Sequence, residues 1–129
     1  MKTVLFVCVH NAGRSQIAEA FFNQLAGGKA HAISAGTQPA DKIDPVVVGA
    51  MLEAGLDISL KRPRLLTPEI LHQANRVITM GCMDSEACPA GFVPTENWGL
   101  PDQRGLAISE VIQIRDIIKQ RVALLLKDL

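Results

Sequence analysis

The stretch Val4–Phe22, VLFVCVHNAGRSQIAEAFF, holds the junction on which the fold turns. Thr3–Val7 is a short β-branched apolar run, the pattern of a strand buried on both faces. From Arg14 to Leu25 the residues Ile17, Phe21 and Leu25, with Ala18 and Phe22 beside them, recur at helical spacing. Between strand and helix lie Cys8 and a short loop containing Asn11 and Gly13. A loop that runs into a helix N-terminus aims several backbone N–H groups at one point, and the helix dipole adds positive potential there. Gly13 permits the tight turn and Asn11 tolerates an unusual backbone conformation. Arg14 supplies a planar fork for two oxygens of a tetrahedral oxyanion. The same field favours the thiolate of Cys8, and the Ser15 hydroxyl is placed to donate to that sulfur. Val9, His10, Asn11, Ala12, Gly13 and Arg14 therefore read as an oxyanion cradle over a nucleophilic Cys8. The ATP-type loop G-x-x-x-x-G-K-[ST] is absent.

Outward from this junction the chain alternates strand and helix. Ala30–Ser34 reads as a second strand, Pro45–Ala54 as a helix with proline in its first turn, and Thr67-Pro68-Glu69 as the start of a short helix. Arg76–Met80 is a third strand and Val93–Trp98 a weaker fourth. Leu106–Lys127 is a long helix with Val111, Ile114, Ile118, Val122 and Leu125 on one stripe, covering a sheet face. This order predicts an α/β fold with a small parallel sheet, whose ligands bind beyond the carboxyl ends of the strands, where Cys8 sits.

The 129 residues suit a single domain, 1–129. Equal numbers of basic and acidic residues, 13 each, give no general attraction to nucleic acid or an anionic membrane. No apolar run approaches the roughly 18 residues of a membrane span. Met1–Lys2 leads straight into the first strand without an A-x-A-like cleavage site, so no signal peptide is expected. Three cysteines do not make a secreted disulfide framework, and a cytoplasmic location is expected. Zinc would want four ligands at recognisable spacing, and only His10 could join the cysteines, so no metal or cofactor is expected. His31 and His72 read as surface or structural residues. The Lys61-Arg62-Pro63-Arg64 cluster reads as a solvated loop that could also raise the local potential for anions or dock an acidic partner.

"CVHNAGRS" (8–15) has the C-x5-R-S form, and "SAGT" (34–37), "GLDIS" (55–59) and "VITMGC" (77–82) follow in order. Together they resemble the low-molecular-weight protein tyrosine phosphatase superfamily over nearly the whole chain, and more particularly its thioredoxin-coupled arsenate reductases. The resemblance implies a four-stranded parallel sheet flanked by helices. Phosphoester hydrolysis needs one cysteine, whereas reducing arsenate takes two electrons that thiols supply by ending as a disulfide. Cys82 and Cys88, in "MGCMDSEACP" after the third strand, are the candidates. Their spacing is one residue shorter than in the resembled reductases. The lack of tyrosine in the chain also argues against the aromatic cleft of the tyrosine phosphatases.

The resemblance further implies a general acid in the loop before the last helix. There "WGLPDQRG" offers Asp102, with proline before it and glutamine after it in place of the usual Asp-Pro. Some relatives bind potassium beside the loop. Asn11, Glu19 and Ser34 match three ligand positions, but Arg64 stands where an acidic ligand would, so no strong potassium site is expected. Asn11 and Ser34 read equally well as hydrogen bonds that brace the loop. In the implied relay Cys8 attacks arsenate held by the loop and Arg14, Cys82 attacks Cys8, and Cys88 attacks Cys82. Thioredoxin then reduces the Cys82–Cys88 disulfide. A monomer is expected. The alternatives are a phosphatase for tyrosine phosphate or small phosphoesters, and a non-catalytic oxyanion-binding or thiol-sensing module.

Overall fold

The computed structural model describes residues 2–80, 95–101 and 103–129. Its elements run β1 (Lys2–Cys8), α1 (Arg14–Ala26), β2 (Ala30–Gly36), α2 (Pro45–Glu53), α3 (Pro68–Gln73), β3 (Arg76–Thr79), β4 (Thr95–Asn97) and α4 (Ile108–Asp128). The strands form one parallel sheet in the order β2-β1-β3-β4. β1 lies inside the sheet, and Val4, Leu5, Phe6 and Val7 have no accessible surface. That burial on both faces is why the run is uninterruptedly apolar.

Alternate residues of β1 serve two layers. Val4, Phe6 and Cys8 join the larger core with residues of α1, α2 and α4. Leu5 and Val7 join a smaller core with Ile33, Ala35 and Val77, against which Ile70 and Leu71 of α3 pack. Phe6 meets Phe22 edge-on at 6.0 Å and Trp98 at 5.7 Å. The stripe Val111, Ile114, Ile118, Val122 and Leu125 of α4 is buried as its spacing predicts.

Two expectations are corrected. Leu25 is 43% exposed, and Ala26 is buried instead. Four-residue steps on an α-helix drift by about 40° each, so Ile17–Phe21–Leu25 walks off the buried face. Trp98 follows β4 rather than lying in it: its N–H donates to the Thr79 carbonyl at 2.8 Å and its ring enters the core. Val93 and Pro94 of the expected fourth strand lie outside the described residues.

Helix ends follow local chemistry. The Asp44 side chain accepts from Val46 N at 3.0 Å ahead of Pro45, and Thr67 Oγ1 accepts from Ile70 N at 3.2 Å ahead of Pro68. Parallel pairing brings Cys8 opposite Gly36 and Val7 opposite Thr79, so the strand ends share one edge with the loop 9–13.

Candidate active site

Cys8 is the last residue of β1 and is 5% exposed. Its sulfur lies 2.8 Å from Ser15 Oγ and accepts the Asn11 backbone N–H at 3.2 Å. The direction of the first contact follows from the neighbouring bonds. Arg64 N can only donate, and its partner is Asn11 Oδ1 at 2.8 Å, which fixes the Asn11 amide. Asn11 Nδ2 then donates to Ser15 Oγ at 2.7 Å, leaving the Ser15 hydrogen to point at sulfur. Two donors thus converge on Cys8, the arrangement that stabilises a thiolate.

The loop is held open from outside. The carbonyls of Val9, His10 and Ala12 accept from Gln38 N at 2.8 Å, Ala40 N at 3.0 Å and Asp44 N at 2.9 Å. Because these carbonyls face residues 38–44, the peptide N–H groups turn toward the interior. Asn11 reverses the chain at φ 51°, and its own carbonyl accepts from Gln16 Nε2 at 3.1 Å. The N-cap of α1 is Gly13, which has no side chain to cap it, and the first turn has no acidic residue. The helix end is therefore presented to whatever anion the loop holds.

Arg14 is 7% exposed. Its Nη1 donates to the carbonyls of Met80 and Leu100, both at 2.7 Å, so the ends of the β3 and β4 crossings orient the guanidinium. Its Nε is buried and has no hydrogen-bond partner among the described residues. A buried, unpartnered donor is costly unless a ligand meets it, which fits an oxyanion beside the loop amides. His10 lies on the loop, but its Nδ1 is 3.1 Å from the Gln38 carbonyl oxygen, a bracing contact.

Four positions matter that were not among the expected site residues: Gln16, Gly36, Gln103 and Lys61. Gln16 Nε2 also bonds Asn11 Oδ1 at 3.0 Å and the Arg62 carbonyl at 3.3 Å. A Cβ on Gly36 would lie 2.6 Å from the Val9 carbonyl oxygen, so the glycine of "SAGT" is bare to let the loop pass. A Cβ on Gly13 would lie 2.2 Å from Cδ of Gln103, whose amide packs on the loop. The charge beside Glu19 is Lys61, not Arg64: the ammonium pairs with Oε2, and Ser34 Oγ donates to Oε1 at 3.1 Å. Arg64 is exposed and enters the site through its backbone. Only the "SAGT" glycine carried a local signal, as part of a motif. Cys82, Cys88 and Asp102 lie outside the described residues.

A cysteine ends a central parallel strand beneath an amide loop and a buried arginine, in an α/β fold of the low-molecular-weight phosphatase type. The chain belongs to the low molecular weight phosphotyrosine protein phosphatase family, whose profile matches residues 3–129. It is 38% identical over 122 residues to a putative arsenate reductase of Halobacterium salinarum, covering 91% of this chain and 85% of that protein. Among solved structures it is similar to a thioredoxin-dependent arsenate reductase of Corynebacterium glutamicum, at 39% identity and a TM-score of 0.82. That match covers 99% of this chain but 61% of the other, so the chain spans about three-fifths of that relative's length. An arsenate reductase in a phosphate-binding state matches at 31% identity and a TM-score of 0.87, with 99% and 98% covered.

Proposed function

We propose that this protein reduces arsenate to arsenite by a three-thiol relay, with thioredoxin as the final reductant. The observation that carries the reading is the Cys8 sulfur, held by two donors beneath an amide loop, with the Arg14 Nε beside it buried and unpartnered among the described residues. Such a cradle suits a tetrahedral oxyanion, and the relatives at 36–39% identity named as arsenate reductases favour arsenate.

The Cys8 thiolate attacks arsenic and one arsenate oxygen leaves as water, giving a sulfur–arsenic bond. Asp102 acts as the acid that protonates the leaving oxygen. The described residues flanking it support that role, since Leu100 accepts from Arg14 and Gln103 packs on Gly13. Cys82 thiolate then attacks the Cys8 sulfur. The sulfur–arsenic pair moves onto arsenic, releasing arsenite, and two thiols become a Cys8–Cys82 disulfide. Cys88 attacks Cys82, frees Cys8 and leaves a Cys82–Cys88 disulfide for thioredoxin. All electrons come from thiols, so the chemistry calls for no metal or organic cofactor. Three reduced thiols suit the cytoplasm, and each step uses residues of one chain, which suits a monomer. Among the described residues no helix is long and apolar enough to cross a membrane.

The test is arsenate-dependent NADPH consumption with thioredoxin and thioredoxin reductase. Cys8→Ser, Cys82→Ser and Cys88→Ser are each expected to abolish turnover. Turnover that survives Cys82→Ser and Cys88→Ser would sink the relay. Hydrolysis of p-nitrophenyl phosphate without any arsenate turnover would make the protein a phosphatase.

A further inference from the structure

Glu19 is nearly enclosed, with its side chain 9% exposed, and it sits one helical turn beyond Ser15 on α1. Its carboxylate accepts from Ser34 Oγ on β2 and pairs with the Lys61 ammonium. A buried carboxylate so close to an anion cradle works against both the oxyanion and the thiolate unless a cation answers it. Lys61 also begins a strap, residues 61–64, that bonds the cradle and the residues bracing it at three further points. The Arg62 carbonyl accepts from Gln16 Nε2 at 3.3 Å, Arg64 N donates to Asn11 Oδ1 at 2.8 Å, and the Arg64 carbonyl accepts from Gly36 N at 2.8 Å. The Arg64–Asn11 bond sets the Asn11 amide, and that amide aims the Ser15 hydroxyl at Cys8.

We propose that Lys61 is a positioning residue for the Cys8 cradle, a counter-ion built into the chain that neutralises Glu19 and anchors the strap orienting Asn11 and Ser15. The three neutral bonds of the strap are short-range and weak singly, whereas the Lys61–Glu19 pair combines charge with partial burial. The cluster 61–64 is therefore a clamp on the cradle at its first residue and backbone.

This inference rests on the oxyanion reading of the cradle, and sulfate binding separates the two. The full chain and its Lys61→Met, Lys61→Arg and Glu19→Gln/Lys61→Met variants are compared by calorimetric sulfate affinity and by the rate of Cys8 alkylation with iodoacetamide at pH 7. Cys82 and Cys88 are replaced by serine throughout, so that one thiol reports. Lys61→Met is expected to weaken sulfate and slow alkylation by about tenfold each, while Lys61→Arg stays within about threefold. The double variant removes the unanswered carboxylate but does not restore the anchor, and is expected to recover partway, to between Lys61→Met and the parent, even where Lys61→Met alone folds poorly. Sulfate affinity and alkylation unchanged in Lys61→Met, or a double variant no better than the single one, would overturn the role of Lys61. A parent chain that binds no sulfate would overturn the cradle reading itself.

Discussion

At Asn11 a backbone φ of 51° puts the peptide N–H on the Cys8 sulfur, while the side chain ties Ser15, Gln16 and Arg64 together. Asparagine tolerates the left-handed region and carries both a donor and an acceptor, which is the combination this position uses. The neighbouring Ser15 has one task that its environment leaves open, donation to sulfur. Ser15→Ala is therefore expected to slow alkylation of Cys8 by iodoacetamide at pH 7 by about tenfold, the loss of one hydrogen bond to a charged acceptor. The circular dichroism spectrum should stay as in the parent. An unchanged alkylation rate would place the hydroxyl hydrogen elsewhere.

Among the elements, the end of β2 limits the loop most tightly. At Gly36 a Cβ would meet the Val9 carbonyl oxygen at 2.6 Å and the Asn11 nitrogen at 2.9 Å, both backbone atoms that cannot swing aside. Gly36→Ala is expected to lower stability in urea by about 1–3 kcal/mol and to weaken sulfate binding, because the cradle must shift. Gly49, inside α2, is the contrast: among the described residues its Cβ would meet only Ile108 Cδ1, at 3.5 Å. Gly49→Ala is expected to stabilise the chain by up to about 1 kcal/mol with sulfate affinity unchanged, since alanine is the better helix former. Equilibrium unfolding and calorimetry of the pair check both outcomes. The "SAGT" glycine was legible as a motif from sequence, but its reason lies in a loop that sequence places far earlier.

Across the whole molecule, Phe6 joins α1 to the β4 edge of the sheet through Phe22 and Trp98 and is fully buried. Phe6→Ala is expected to cost about 3–5 kcal/mol, through lost burial and the cavity left behind. Trp98 is the chain's only tryptophan and touches Phe6, so its fluorescence and circular dichroism should report coincident, weakened transitions in urea. The sequence alone determined the α/β alternation, the stripe of α4, the proline in the first turns of α2 and α3, and the Cys8–Arg14–Ser15 junction. Each of those is written in neighbouring residues, where periodicity, caps and loop chemistry act. Leu25 misled because simple four-residue spacing ignores the drift of the helix near its end. Only the tertiary structure decided that Nη1 of Arg14 goes to the carbonyls of Met80 and Leu100, that Gln103 packs on Gly13, and that Lys61 rather than Arg64 answers Glu19. Those contacts join residues distant in the chain, often through backbone atoms that every residue possesses, so nothing in the side-chain order announces them.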